Sequence, residues 1–278
     1  MNIKTIAVSL VTAQEAEWLM PLACDLARAH GAHLTAVHPA EPYVPYVGVG
    51  EGVAALPAPG FLDWQEEETQ AIRAIFDRHA GAEDFPSEWR AQDVSVQGSD
   101  AYLVDSVRAA DIVVTALTEP ETRRSEQHRL QEHLIRNSGR PVLALPKGAD
   151  VSTLGERIAI GWSRTREAAR AAHDALAFAA PGARIDVVHI GRDGDVMEEG
   201  TRDDLAAAID RHGFRTEVIE RDAGVGETGE ALLRVAFETG ATLVATGAFG
   251  HSRAYDFVIG AVTRYLLDNA KVPVLLSK

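Results

Sequence analysis

The sequence has little cysteine, no long apolar run and a deficit of positive charge. Cys24 is its single cysteine, so no disulfide can form within the chain, and a reducing compartment is the simple interpretation. The apolar run near the start covers only residues 6–11, which is shorter than the core of a signal peptide. No stretch approaches the roughly 18 consecutive apolar residues of a membrane span. These features predict a cytoplasmic protein that does not enter a membrane.

Basic residues are outnumbered by acidic ones, with 27 Lys and Arg against 41 Asp and Glu and a net charge of −14. The acidic excess is present in both halves of the chain, so we expect nucleic acids and anionic membranes to be repelled. An anionic small molecule would have to bind through local backbone dipoles and a few arginines.

Sequence patterns typical of catalysis or metal binding are missing as well. The ten histidines show no metal-ligand spacing, and no G-x-S-x-G nucleophile motif is present. Cys24 lies in an apolar helical stretch, which predicts a buried, inert thiol. The sequence therefore does not favour an enzyme.

Two stretches of the chain are similar to later stretches, which indicates an internal repeat. Residues 29–38 align with 180–189 at an offset of 151, with five of ten identical, and residues 110–115 align with 241–246 at an offset of 131. The two offsets differ by 20, so the first copy holds about 20 extra residues. The segment 39–60 is rich in proline and glycine, as expected for such a loop insertion.

Hydrophobic periodicity alternates between strand and helix within each copy. This alternation implies right-handed crossovers and a parallel sheet with helices on both faces. The sequence therefore predicts an α/β protein of two tandem open-sheet domains, residues 1–147 and 156–278, joined by a linker at 148–155. Each domain is expected to contain five parallel strands in the order 3-2-1-4-5. The predicted strands are 3–10, 33–37, 91–96, 111–116 and 141–145, then 157–161, 185–190, 214–220, 242–246 and 272–277.

A loop with three spaced glycines follows the fourth predicted strand of the second domain. Gly247, Gly250 and Gly260 form the pattern G-x2-G-x9-G. Ligands of open parallel sheets bind beyond the carboxyl ends of the strands, where this loop begins. Glycines let backbone N–H groups approach an anion closely, and Gly260 precedes a helix whose first amides have no partner within the helix. With Arg253 or Arg264 nearby, the loop is a candidate phosphate site.

This spacing, in its strand and helix context, resembles the signature of the universal stress protein family, and the resemblance covers the chain as a tandem member. In that family the loop wraps the phosphates and ribose of ATP or AMP. The resemblance implies an adenine nucleotide site in the second domain of a stress-response protein that acts as a regulatory or binding module, with Mg²⁺ only alongside ATP. The residues implied are Gly247, Gly250, His251, Arg253, Gly260, Ala261, Val262 and Thr263 for phosphates and ribose, and Ser163, Val188 and His189 near the base.

Two positions of the second domain depart from the family pattern. Ala261 stands where the family has Ser or Thr after the last glycine, so a hydroxyl contact is missing while the backbone amide is kept. Losing one neutral hydrogen bond typically costs about 0.5–1.5 kcal/mol. Ser163 stands where nucleotide-binding members usually carry an Asp near the adenosine.

The first domain lacks the glycine loop. At an offset of 131, Ala116, Glu119 and Arg129 replace the three glycines, and Val11 replaces the family's Asp. A carboxylate at Glu119 would face a phosphate. The first domain is therefore expected to be a structural or pairing partner without nucleotide.

A second glycine pattern, G-x-G-x-x-G at residues 224–229, lies between a predicted strand and a predicted helix. A dinucleotide site would need an apolar strand running into the first glycine and an acid about 20 residues later. Residues 220–223 are Glu-Arg-Asp-Ala, and the fourth strand ends in Ala245 and Thr246. We therefore interpret this pattern as the rim of a loop where a helix starts.

Three functions stay open at this point. The first is a nucleotide-binding module with an unknown protein partner. The second is a nucleotide-free scaffold of the same fold that acts by protein association, which the missing Ser and Asp equally suggest. The third, a slow ATPase, lacks the metal-binding carboxylates and positioned nucleophile that phosphoryl transfer needs.

The family resemblance also bears on association. Its single-domain members commonly dimerise through the fifth strand. It therefore implies that residues 141–145 and 273–277 meet as a pseudo-twofold pair inside one chain, with a homodimer of chains as a further option.

Overall fold

The computed structural model describes residues 3–40, 60–91, 99–118, 124–191, 199–249 and 260–278. Strands and helices alternate along these ranges. The strands are β1 Thr5–Ser9, β2 His33–His38, β3 Ser87–Ala91, β4 Ile112–Ala116, β5 Val142–Leu145, β6 Arg157–Gly161, β7 Arg184–Gly191, β8 Arg215–Asp222, β9 Leu243–Gly247 and β10 Val274–Ser277. The helices are α1 Ala13–His30, α2 Phe61–Ala80, α3 Ser99–Val107, α4 Arg124–Asn137, α5 Arg166–Ala175, α6 Glu199–Arg211, α7 Thr228–Thr239 and α8 Ala261–Asn269.

The ten strands form one sheet in the order β3-β2-β1-β4-β5-β10-β9-β6-β7-β8. Neighbouring strands are parallel within each half, and each half has the order 3-2-1-4-5 counted along its own chain segment. The predicted α/β class and strand order are confirmed. When the strands are numbered within each half, the order across the sheet is 3-2-1-4-5-5-4-1-2-3. This symmetry is expected for two similar halves placed side by side.

The two half-sheets join where β5 pairs with β10, which we call the seam. This pairing is antiparallel, with Leu275 opposite Leu143 and Val274 opposite Ala144. The fifth strands thus meet inside the chain, as the family resemblance implies. Each strand covers an edge that would otherwise offer unpaired backbone groups to other chains.

Helices cover both faces of the sheet. Helices α1, α2, α5 and α6 contribute buried apolar side chains to one face, and α3, α4, α7 and α8 contribute them to the other. The central strands are buried on both sides, so their sequences are nearly continuous runs of Val, Ile, Leu and Ala. Among the described residues, no helix combines the length and apolar character needed to span a membrane.

The outermost strands differ in composition from the central ones. The sequence SEWRA of β3 is exposed or half-buried throughout, and β8 is largely exposed. The predicted third strand at 91–96 starts too late, because the strand that pairs with β2 includes Ser87–Ala91. Residues 87–90 were not predicted as a strand, because an edge strand needs no alternating apolar pattern. Residues 92–98 lie outside the described residues, as do residues 41–59 of the predicted insertion.

Cys24 lies on the buried side of α1 and is 3% exposed. Burial away from water raises the pKa of its thiol to about 12. The thiol is therefore protonated at neutral pH, as the sequence predicts for a buried, inert cysteine.

We predict that Cys24 is chemically silent in the native protein. At pH 8 a thiol reagent should modify it at least roughly 100-fold more slowly than in the urea-unfolded chain, because the thiolate is the reactive form and is scarce. Absorbance of the released chromophore measures both rates. Equal rates in the two states would contradict the buried placement of this thiol.

A second prediction concerns the seam. Leu275 is fully buried there, so Leu275→Ala should lower the free energy of unfolding by about 2–5 kcal/mol. Phe237→Ala is the control, since this side chain is 87% exposed and its loss should change stability by less than about 0.5 kcal/mol. Urea unfolding followed by circular dichroism gives both values. A cost below about 1 kcal/mol for Leu275→Ala would show that the seam is not a packed core.

Candidate functional site

The candidate site lies at the carboxyl edge of the C-terminal half-sheet, where β6 and β9 end side by side. Gly161 of β6 is paired with Thr246 of β9, and the Thr246 hydroxyl contacts the Gly161 carbonyl at 3.4 Å. The chain continues from β6 to β7 on one side and from β9 to β10 on the other. This reversal of direction opens the crevice in which ligands of open α/β sheets bind.

Two glycines let backbone segments approach closely in this crevice. A Cβ at Gly247 would overlap the backbone nitrogen of Ala168 and lie 2.6 Å from the carbonyl carbon of Glu167, so β9 passes directly against the first turn of α5. A Cβ at Gly161 would lie 3.0 Å from the Thr246 hydroxyl oxygen. Gly247, predicted for its role toward phosphate, is thus also required by packing within the protein.

The residues predicted near the base come together where β6 and β7 end. The backbone N–H of Trp162, next to Ser163, donates to the Val188 carbonyl at 2.8 Å. The ring nitrogen Nδ1 of His189 contacts the Trp162 carbonyl at 3.4 Å. Val188 is fully buried in the core, so its side chain is turned away from this edge. Ser163 and His189 are therefore the predicted residues that can offer polar side chains here.

Two helices begin at this edge, and their first turns differ. At α5 the Thr165 hydroxyl accepts the Ala168 N–H at 3.1 Å, which caps the helix. At α8 the preceding residue is Gly260, which has no side chain to form such a cap. The first amides of α8 are therefore without a side-chain cap from Gly260 and can face an anion.

The residues after Gly260 were also predicted as ligand contacts. Ala261 is exposed, Val262 is half-buried and Thr263 is 2% exposed. A Cβ at Gly260 would have one protein neighbour, the Thr263 hydroxyl oxygen at 3.9 Å. The predicted residues Gly250, His251 and Arg253 lie outside the described residues, between Phe249 and Gly260.

The local charges are mixed. Glu167 is 6% exposed in the first turn of α5 and accepts from Arg166 at 2.7 Å. Burial raises the pKa of the Glu167 carboxyl, but hydrogen bonds from Arg166 and the helix backbone, with the charges of Arg166 and Lys278, outweigh it and lower the pKa overall. The Glu167 carboxylate is therefore ionised and paired with Arg166 at neutral pH, while the backbone of Glu167 lies beside Gly247. An anionic ligand would depend on the first amides of α8, to which Gly260 offers no side-chain cap.

The second glycine pattern, at 224–229, has a structural role. The Glu227 carboxylate accepts the Gly224 N–H at 3.0 Å, so this turn satisfies its own amide. A Cβ at Gly229 would lie 3.0 Å from atoms of the Tyr265 side chain on α8, which makes this glycine a packing position between helices. Helix α7 begins at Thr228, and the predicted role of a helix start is confirmed.

The equivalent edge of the N-terminal half is bridged by its own side chains. The Glu15 carboxylate accepts the Val11 N–H at 3.0 Å and the Gln127 side-chain amide at 3.0 Å. The side-chain amide of Gln131 donates to the Ala116 carbonyl at 2.6 Å. Val11 and Ala116 align with Ser163 and Gly247, so α1 and α4 occupy this crevice with side chains. Glu119 lies outside the described residues.

Sequence reasoning missed several residues of the C-terminal edge and of its counterpart. The Trp162 indole donates to the Thr201 hydroxyl at 3.4 Å and connects β6 to α6. Thr246 was noted only as the end of a strand. The contact of the Glu15 carboxylate with the Val11 N–H could have been predicted from the sequence, because Thr12 and Glu15 have the spacing of a helix capping box. Its second contact, to Gln127, is 112 residues away and left no local signal.

Comparison with known proteins adds the family. A sequence profile of the Universal stress protein family matches residues 156–278. The solved structure of a universal stress protein from Archaeoglobus fulgidus DSM 4304 covers 98% of this chain and 96% of its own, with 14% identity and a TM-score of 0.71. A functionally unknown protein from Pseudomonas aeruginosa PAO1 covers 99% of this chain and 92% of its own, with 13% identity and a TM-score of 0.55.

A shorter match is a universal stress protein from Archaeoglobus fulgidus in complex with dAMP, which covers 52% of this chain and 98% of its own, with 18% identity and a TM-score of 0.32. No curated protein matches the chain by sequence. The family profile spans the C-terminal half from β6 to the last residue, and the two long structural matches extend the same fold over both halves. Residues 156–278 therefore match the sequence profile of the universal stress protein family, and the N-terminal half has the same fold.

Proposed function

We propose that the C-terminal half binds an adenine nucleotide, AMP or ATP, at the carboxyl edge of β6 and β9, and that the protein acts as a regulatory or binding module in a stress response. Mg²⁺ accompanies ATP only. The observation that carries the proposal is the start of α8 at Gly260, where no side chain among the described residues caps the helix, beside the crevice between β6 and β9. The support from outside the structure is the family match over residues 156–278.

The phosphates are assigned to the amides of Gly260, Ala261, Val262 and Thr263. Each helix N-terminus stabilises an anion by about 0.3–1 kcal/mol when exposed and by up to ~2 kcal/mol in sheltered geometry. Several amide contacts are needed, since the ionised Glu167 beside Gly247 opposes a phosphate. Gly247, Gly250, His251 and Arg253 complete the proposed phosphate and ribose contacts.

The adenine is assigned to the end of β6 and β7. Ser163 and His189 lie on two neighbouring strand ends, linked through the Trp162 backbone. A Cβ at Gly191 would lie 3.4 Å from His189 Nε2, so the glycine leaves room beside this ring. Val188 contributes by placing Trp162 through its carbonyl.

The domain division follows the same reasoning. We assign residues 1–147 to a first domain without nucleotide, 148–155 to a linker and 156–278 to the nucleotide-binding domain. The bridge from Glu15 to Gln127 ties α1 to α4 at the equivalent edge of the first domain, which supports its assignment as a domain without nucleotide. An unidentified protein partner and a homodimer of chains belong to this proposal as further interactions of the module.

A nucleotide-free scaffold that acts by protein association is the alternative. The charge of Glu167, with Ala261 and Ser163 in place of the family's hydroxyl and acid, favours it. The two functions differ in one measurable property, which is the response of the pure protein to nucleotide.

The test uses two variants of Gly260. Calorimetric titration of the wild type with AMP, and with ATP and Mg²⁺, should give measurable heat. Gly260→Asp should weaken nucleotide affinity at least about ten-fold, because a carboxylate at the helix start faces the phosphate. Gly260→Asn is the matched control, since it has nearly the same shape without the charge.

Neither variant should harm folding. Gly260 has φ −57° and ψ 141°, which Asp and Asn adopt readily, and both are good helix caps that should add a few tenths of a kcal/mol to stability. Equal affinity in the two variants would place the phosphates elsewhere. Absence of both heat and thermal shift in the wild type at millimolar nucleotide would leave the scaffold function instead.

Restoring the family's hydroxyl should strengthen binding. Ala261→Ser should lower the dissociation constant for AMP by about 2–10-fold, which corresponds to one regained neutral hydrogen bond. Ala261 is exposed, so this substitution should leave the unfolding temperature of the protein unchanged. The same calorimetric titration measures the gain, and weaker binding by the serine variant would count against the assignment of Ala261.

A further inference from the structure

Phe249 has an unusual backbone conformation at the start of the glycine loop. Its φ is +67°, the one non-glycine residue in the left-handed region among the described residues. A bulky side chain is held in that region only when its surroundings fix it there. The ring packs partly buried against the apolar cluster of α3, α4, α7 and α8.

The group over this ring comes from the other half of the chain. The Arg136 guanidinium, on the last turn of α4, lies 3.9 Å from the ring centroid of Phe249. Lys278 approaches the same ring at 5.6 Å. The Arg136 side chain is 10% exposed, and its Nε donates to Glu132 at 2.8 Å. A stacked and largely desolvated guanidinium is the strong form of a cation–π contact.

The antiparallel seam explains why α4 reaches this loop. Because β5 and β10 run in opposite directions, the last turn of α4 lies beside the carboxyl edge of the C-terminal half. The pseudo-twofold counterpart of the Arg136–Phe249 contact, at an offset of 131, is Leu267 with Thr118. There the Thr118 N–H donates to the Leu267 carbonyl at 3.1 Å. The ring and guanidinium are therefore found only on the side that has the glycine loop.

We propose that Arg136 is a positioning residue, supplied by the N-terminal half to the nucleotide site of the C-terminal half. It holds the Phe249 ring, and through the ring it fixes the backbone from Gly247 to Phe249, where the proposed phosphate contacts begin. The assignment rests on the proposed nucleotide function. It gives the half without nucleotide a defined task, which is to fix residues 247–249 of the other half.

The segment from Gly247 to Phe249, which Arg136 would fix, contains an amide whose hydrogen exchange measures how well the segment is ordered. The Ala248 N–H donates to the Ser277 carbonyl at 2.8 Å, which anchors the segment to β10. Hydrogen exchange of peptides covering residues 243–249 therefore measures the effect of Arg136 without any nucleotide. AMP titration measures the consequence for binding.

The experiment compares Arg136→Ala with Arg129→Ala in the full chain. Arg129 lies on the same helix and its loss changes the net charge equally, but it pairs with Asp100 at 2.9 Å, on α3 of its own half. In Arg136→Ala, hydrogen exchange in the 243–249 peptide should be about five-fold faster and AMP binding about five-fold weaker. Both changes are of the size expected for loss of a cation–π contact. Arg129→Ala should change both by less than about two-fold.

A double variant separates the contact from general damage to the seam. In a Phe249→Leu background the ring is absent, so Arg136→Ala should produce no further change in either measurement. Arg136→Lys keeps the charge but loses the planar face, and it should resemble Arg136→Ala more than the wild type.

The outcomes separate this inference from the nucleotide proposal. Equal exchange in Arg136→Ala and Arg129→Ala overturns the positioning role, whether or not AMP binds. Faster exchange with unchanged AMP affinity overturns the link between Arg136 and the site. Faster exchange in a protein whose wild type binds no nucleotide supports the positioning of residues 247–249 by Arg136, while the nucleotide function fails.

Discussion

The antiparallel pairing of β5 with β10 is the constraint on which the rest of the architecture depends. It joins two parallel half-sheets into one and removes two edges that would otherwise be open to other chains. It also sets the carboxyl edges of the halves at opposite ends of the seam. The last turn of α4 therefore meets Phe249 of the C-terminal half. The last turn of α8 meets Thr118, just after β4, and the start of α4, where His128 and Asp268 are 2.8 Å apart.

Similar positions in the two halves satisfy their polar groups in different ways. In the N-terminal half the Glu15 carboxylate takes the Val11 N–H and the Gln127 amide, so α1 and α4 are tied across the crevice. In the C-terminal half Thr165 caps α5 locally, and Gly260 leaves α8 without a side-chain cap. Buried or sheltered backbone N–H groups need a partner, and one half supplies it from its own side chains. In the other half, we propose that an anion takes that place.

Local patterns were sufficient to predict the α/β class, the positions of most strands and the tandem arrangement, because buried parallel strands leave long apolar runs and the repeat marks their positions twice. They failed at β3, where an edge strand carries Glu88 and Arg90 and shows no apolar alternation. Local patterns also gave no packing reason for a glycine at position 247. The reason is the backbone of Ala168, which lies on α5, 79 positions earlier in the chain. The ring contact of Arg136 with Phe249 spans both halves, and no local pattern encodes a contact that depends on the seam.

An acidic chain can bind an anion because the relevant electrostatics are local. At physiological salt, charges farther apart than about 8 Å are largely screened, so the net charge of −14 matters less than the groups within one contact shell. At the proposed site the ionised Glu167 would oppose a phosphate, and the α8 amides would favour it by about 0.3–2 kcal/mol per terminus. Opposing terms of similar size would leave affinity sensitive to small displacements of the backbone. In this proposal, a contact that fixes Phe249 acts on binding as directly as a residue that touches the ligand.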